Sequence, residues 1–119
     1  GHLVWKAVEA AKELEAQGIS AEVINIHTIK PLDDEIILDS VAKTRCIVTC
    51  EEHQIAGGLG ESVAGLLCRT IPTPQEFVAV NDQFGESGTP DQLLEKYGLG
   101  TKDVIEAAKA VVKRKKSFT

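Results

Sequence analysis

The feature that most constrains this chain is the alternation of amphipathic helical stretches with short, nearly unbroken apolar runs along its 119 residues. Val23, Ile24 and Ile26 within residues 21–26, the run Cys46-Ile47-Val48-Thr49-Cys50, and residues 77–80 are predicted as three buried strands. Before the first of them, Leu3, Val4, Ala7, Val8, Ala11 and Leu14 recur at helical spacing, and Gly18 supplies a stop. Asp33 is placed to cap a second helix whose apolar residues Ile36, Ile37 and Val41 should face the sheet. A glycine turn, Gly57-Gly58-Leu59-Gly60, opens a third helix to about Arg69, beyond which Pro72 and Pro74 prevent its continuation. Thr89, Pro90 and Gln92 mark a short helix that stops at Gly98. Thr101 then introduces a last helix with the stripe Val104, Ile105, Ala108, Val111 and Val112.

Parallel strands need crossover connections and must be covered on both faces. The pattern therefore predicts an α/β fold, a three-layer α/β/α arrangement around a mostly parallel sheet, in one domain over residues 1–119. Because a helix with no strand feeding it comes first, the sheet is expected to be a fragment or to be completed by another polypeptide.

Eighteen acidic against 13 basic residues give a mean field that repels phosphate backbones and anionic lipid, so neither nucleic acid nor a membrane is an expected partner. The one basic cluster, Lys113 to Lys116, falls where the last helix should end and where cations complement exposed carbonyls. No secretory leader or spanning apolar run is read in the sequence, and the cytoplasm is the expected compartment. A strand holding Cys46 and Cys50 would keep their sulfurs roughly 13 Å apart, too far to bridge or share an ion. Cys68, among Val63, Leu66 and Leu67 on a helical face, is read as a small hydrophobe.

Ligands of open α/β sheets gather at the carboxyl ends of the strands, here His27, then Glu51, Glu52 and His53, then Asn81 and Asp82. These residues could serve acid-base work or a metal, or simply cap strand ends. A strand, a glycine loop and a helix in that order can also cradle a phosphate, with Asp82 placed for a ribose. Against a dinucleotide fingerprint, Val63 stands where a small residue is needed, and several residues separate the strand from the first glycine. No Lys-Ser or Lys-Thr follows, which excludes a P-loop.

In order, Thr28-Ile29-Lys30-Pro31-Leu32-Asp33, Val48-Thr49-Cys50-Glu51-Glu52-His53, Gly57-Gly58-Leu59-Gly60, Gly85-Glu86-Ser87-Gly88 and Leu93-Leu94-Glu95-Lys96-Tyr97-Gly98 resemble the transketolase C-terminal domain. The likeness runs from roughly Leu3 to Val112. Deoxyxylulose-phosphate synthases and the β subunits of 2-oxo acid dehydrogenases share the layout, but the Lys-Pro-Leu-Asp and Glu-Glu-His stretches look closer to transketolase. The resemblance implies an enzyme that moves two-carbon ketol units between sugar phosphates with thiamine diphosphate and a divalent cation (Mg or Ca), working as a homodimer. Its pyrophosphate- and pyrimidine-binding domains, in the same chain or another subunit, hold cofactor, cation and substrate. The C-terminal domain mainly supports assembly, so it is expected to contribute no catalytic, cofactor-binding or metal-binding residue and to be inactive alone. Glu52, His53, Gly57, Gly58 and Gly60 are the expected contacts to a neighbouring domain. Family members have strand sequence before the first helix here, one strand lying inside the sheet, so the fold apparently lacks its first strand or strands. The register could close up, another copy could fill the gap, or a longer polypeptide could supply it.

Overall fold

Helix α1 (His2–Ala16) ends because Gly18 adopts φ +87°, a left-handed conformation that side chains resist. That turn lets the amides of Gly18 and Ile19 donate back to the carbonyls of Glu15 and Leu14, at 3.0 and 2.9 Å, closing the last turn as a Schellman motif. The computed structural model describes residues 2–26, 31–52, 58–80 and 101–117. The other described elements are α2 (Asp34–Thr44), β1 (Ile47–Glu52), α3 (Leu59–Arg69), β2 (Gln75–Val80) and α4 (Thr101–Ser117). The short helix expected between Thr89 and Gly98 lies outside the described residues.

Strands β1 and β2 pair in parallel, Ile47 opposite Gln75 through Glu52 opposite Val80. Helix α3, the crossover between them, packs on β1 and touches α2, while α4 packs on both strands and on α1. The result is the expected three-layer α/β/α arrangement with a parallel sheet. Alternation along the strands explains the layers. Thr49 and Glu51 point to the α3 side. Val48 and Cys50 point to the side of α4.

The larger core lies between β1 and the α2–α3 pair. Ile37, Val41, Val63, Leu66 and Leu67 are almost fully buried there, with Ile26, Leu32 and Ile47 packed against them. On the opposite face, Ala10 and Leu14 of α1 meet Val104 and Val111 of α4, and Val78 of β2 is buried on the same side. Removing a Leu or Ile side chain of this kind from water stabilises the fold by about 1.5–3 kcal/mol.

Several expectations are corrected. Residues 21–26 form no strand: among the described residues none of their backbone groups pairs, and Val23 is exposed. An apolar run becomes a strand only when a neighbouring edge is within reach, and a cleft separates this segment from β1. The sheet has therefore not closed up over the gap. The segment is held instead by Glu22, which accepts from Ser40 Oγ at 2.9 Å and meets Lys43 Nζ at 2.7 Å on α2. Ile36 and Cys68 are exposed rather than core residues, because each lies off the buried stripe of its helix. Strand β2 starts at Gln75, two residues earlier than its apolar pattern. In the basic cluster, Arg114 pairs with Glu76 and donates to the Gln75 carbonyl, and Lys115 donates to the Thr44 carbonyl that ends α2. These two cations thus tie α4 to β2 and α2. Asp33 caps α2 as expected, its carboxylate accepting from the Ile36 amide at 3.4 Å.

Two outcomes follow from these contacts. No atom lies within 4 Å of a Cβ added at Gly18, so the cost of Gly18→Ala is purely conformational. Denaturant unfolding should show a loss of about 1–2 kcal/mol, and an unchanged stability would contradict the left-handed turn. Lys43 and Ser40 hold the Glu22 carboxyl below the ordinary carboxylate range. A lowered folded-state pKa stabilises above the unfolded value, and that contribution is lost as pH falls through the folded one. Acidification through that range should therefore loosen residues 19–26 first, seen as faster amide exchange there than in α3; simultaneous loosening would contradict it.

Candidate functional site

The candidate site is the carboxyl end of β1 facing the amino end of α3. Helix α3 is capped by Gly58, which has no side chain to offer its first amides. Glu51 supplies the missing acceptor from the strand. Its Oε2 accepts from the Leu59 amide at 3.1 Å and its Oε1 from the Gly60 amide at 3.0 Å. Glu51 is only 6% exposed, so a negative charge taken from water is neutralised against the positive end of a helix.

Gly60 is required at this point for reasons of space. A Cβ there would stand 2.5 Å from one ring carbon of Phe77 and 3.0 Å from the Glu51 carboxylate. The Phe77 ring and the Glu51 carboxylate thus both press on the first turn of α3. Gln75 completes the arrangement, its amide nitrogen donating to Thr49 Oγ1 at 3.1 Å and to the Gly60 carbonyl at 3.0 Å. Its amide oxygen is buried without a hydrogen-bond partner among the described residues.

The geometry answers the phosphate-binding alternative. A phosphate at the amino end of α3 would need the amides of Leu59 and Gly60, and a fixed carboxylate already occupies both. The diphosphate of thiamine diphosphate meets the same obstacle. No group of three His, Cys, Asp or Glu side chains among the described residues is arranged to hold a metal. The described residues at this helix end do not fit a diphosphate–metal site.

Of the residues singled out from the sequence, Gly58 and Gly60 form the start of α3, and Gly60 is buried with its contacts inside the chain. Glu52 ends β1. His53 and Gly57 lie outside the described residues, as do His27, Asn81 and Asp82. The residue that organises this end of the sheet is Glu51, which the sequence places with Glu52 and His53 at the strand end but which is not among the expected interdomain contacts. A signal for it existed: Ile47, Thr49 and Glu51 share one strand face, and that face must lie against the helix after the glycine turn.

The cysteines offer no activated thiol in the sheet. Burial raises the pKa of Cys46 and pushes that of Cys50 up to about 11. A thiol so desolvated is a poor nucleophile at neutral pH.

Glu51→Ala leaves two helix amides without an acceptor and should destabilise the fold by about 2–4 kcal/mol, whereas Glu51→Gln, which keeps an acceptor, should cost less. Gly60→Ala should also destabilise by moving Phe77. Chemical denaturation of the three variants checks this, and equal costs for Glu51→Ala and Glu51→Gln would show that the amides do not depend on the acceptor.

Residues 1–104 match the family described as transketolase, C-terminal domain. The 6-deoxy-6-sulfo-D-fructose transketolase subunit SqwH of Clostridium sp. (strain MSTE9) is 47% identical over 115 residues, covering 97% of this chain and 36% of that protein. A 1-deoxy-D-xylulose-5-phosphate synthase of Caldanaerobacter subterraneus subsp. tengcongensis is 36% identical over 107 residues, covering 89% of this chain and 17% of the relative. Among solved structures, one titled "Split gene transketolase, inactive beta4 tetramer" superposes with a TM-score of 0.83 at 48% identity, over 95% of this chain and 37% of its own. The chain thus spans about a third or less of these relatives. It belongs to the transketolase family, to which it corresponds as the C-terminal domain.

Proposed function

We propose that residues 1–119 are the C-terminal assembly domain of a transketolase, either part of a larger chain or of one subunit of a split enzyme. The complete enzyme transfers two-carbon ketol units between sugar phosphates in the cytoplasm, in reactions of the pentose phosphate type. Its pyrophosphate- and pyrimidine-binding domains carry thiamine diphosphate and a divalent cation, Mg or Ca, and the enzyme works as a homodimer. Alone, this domain is inactive.

The observation that carries this reading is the Glu51 carboxylate on the amides of Leu59 and Gly60. The position where an α/β sheet would take a phosphate is spent on internal cohesion, which suits a scaffold better than a cofactor site. The family match and the share of the relatives covered support it, since most of each relative's length lies outside the matched region. Glu52, His53, Gly57 and Gly58 are then the residues facing a neighbouring domain, with buried Gly60 supporting the turn from beneath.

The test is ketol transfer from a ketose phosphate donor, measured with thiamine diphosphate and Mg2+ on the assembled enzyme. His53→Ala and Glu52→Ala should weaken subunit or domain association while leaving turnover per assembled enzyme within about threefold, as expected of residues without a chemical role. Turnover falling by a hundredfold or more with assembly intact would make the pair catalytic and overturn the reading.

A further inference from the structure

In the described sheet, β2 has a strand partner on one side only. The Ile47 amide donates to the Pro74 carbonyl at 3.1 Å, which in a parallel ladder turns the backbone groups of Glu76, Val78 and Val80 toward β1. Those of Gln75, Phe77 and Ala79 point to the outside of the sheet. Arg114 closes the first of these three: its Nη1, reaching across from α4, donates to the Gln75 carbonyl at 2.8 Å and pairs with Glu76. Among the described residues, the outward groups of Phe77 and Ala79 bond to no other backbone group.

The side chain at this edge is uncovered as well. Phe77 is 52% exposed although its ring lies against Gly60 on the α3 side of the sheet. A groove of about 290 Å³ beside it is lined by Ala64, Leu67, Cys68 and Pro72. Folds ordinarily cover, shorten or charge an open edge, because its unpaired amides and carbonyls invite another strand. Here the charge of Arg114 guards only the amino end of β2, and the rest combines free backbone groups with an exposed aromatic ring.

We propose that this edge pairs with the same edge of a second copy of the chain, antiparallel about a twofold axis at Val78, so that Phe77 of each copy lies opposite Ala79 of the other. The length of the free stretch selects that occupant. It is limited to Phe77 and Ala79, and an antiparallel copy satisfies both residues on each strand and leaves none over. Charge selects the register. With Phe77 opposite Ala79, the two Glu76 carboxylates stand roughly 13 Å apart along the strands, each beside its own Arg114. Setting Phe77 opposite Phe77 would bring those like charges to diagonal positions, about 7–8 Å apart, and would need the Gln75 carbonyl that Arg114 holds. In the proposed register the diagonal neighbours are instead the two Phe77 rings, which lie on the same face within reach of aromatic contact and cover each other.

The test uses the full protein as translated, with half of the copies isotope-labelled so that contacts between copies are told from contacts within one. Nuclear Overhauser contacts should run from the Phe77 amide and ring to Ala79 and Phe77 of the other copy. Amide exchange at Phe77 and Ala79 should be about a hundredfold slower than at an exposed loop, the scale set by ladder hydrogen bonds. Ala79→Pro removes an outward amide and no bond to β1, so it should abolish the contacts between copies and speed exchange at Phe77, while Thr49 and Glu51 stay protected. Fast exchange at Phe77 in the unmodified protein, or contacts from this edge to any other segment of either copy, would overturn the proposal. These readouts are independent of ketol transfer, so failure here would leave the functional reading standing.

Discussion

The described structure depends on a carboxylate set against the amino end of a helix. Glu51 holds the amides of Leu59 and Gly60 and so joins the carboxyl end of β1 to the first turn of α3. The bond is stronger than a hydroxyl cap because the acceptor is charged, the helix end carries the opposite partial charge, and little water competes. Once α3 is fixed there, Val63, Leu66 and Leu67 lie over the sheet and against Ile37 and Val41, and the larger core follows. Gly60 lets the contact be close, and Phe77 and Gln75 brace it from β2.

The same contact bears on function. In α/β sheets the exposed helix amides beside a strand end make a ready anion site, and folds that use it leave the amides free. Here they are taken by a side chain from the same chain. The proposed assembly role accords with this arrangement, with the match to a C-terminal domain and with relatives about three times as long or longer.

Much of this was legible in the sequence, where the legible part was local. Gly18 as a stop, Asp33 as a cap, the start of α3 at Gly58 and the stripe of α4 all rest on interactions within a few residues, and the structure has them. What failed was non-local. Residues 21–26 have the composition of a strand, but strand formation needs a neighbouring edge, and the edge next to them is a cleft. Cys68 and Ile36 sit among apolar neighbours in their helices but lie off the one stripe that each helix buries. Glu51 was legible as a strand-end residue, but its partners were not, because they lie eight and nine residues ahead, a spacing set by the loop and not by any helix or strand period. Glu52 and His53 drew attention through family likeness, which marks residues without saying what they touch.

The central claim is that Glu51 closes the amino end of α3 to phosphates. Titrating inorganic pyrophosphate into the protein while following the amide resonances of Leu59 and Gly60 tests it directly. The account predicts that both stay in place at millimolar pyrophosphate. Saturable shifts confined to those two amides would show that the helix end takes a phosphate despite Glu51, and would contradict the account.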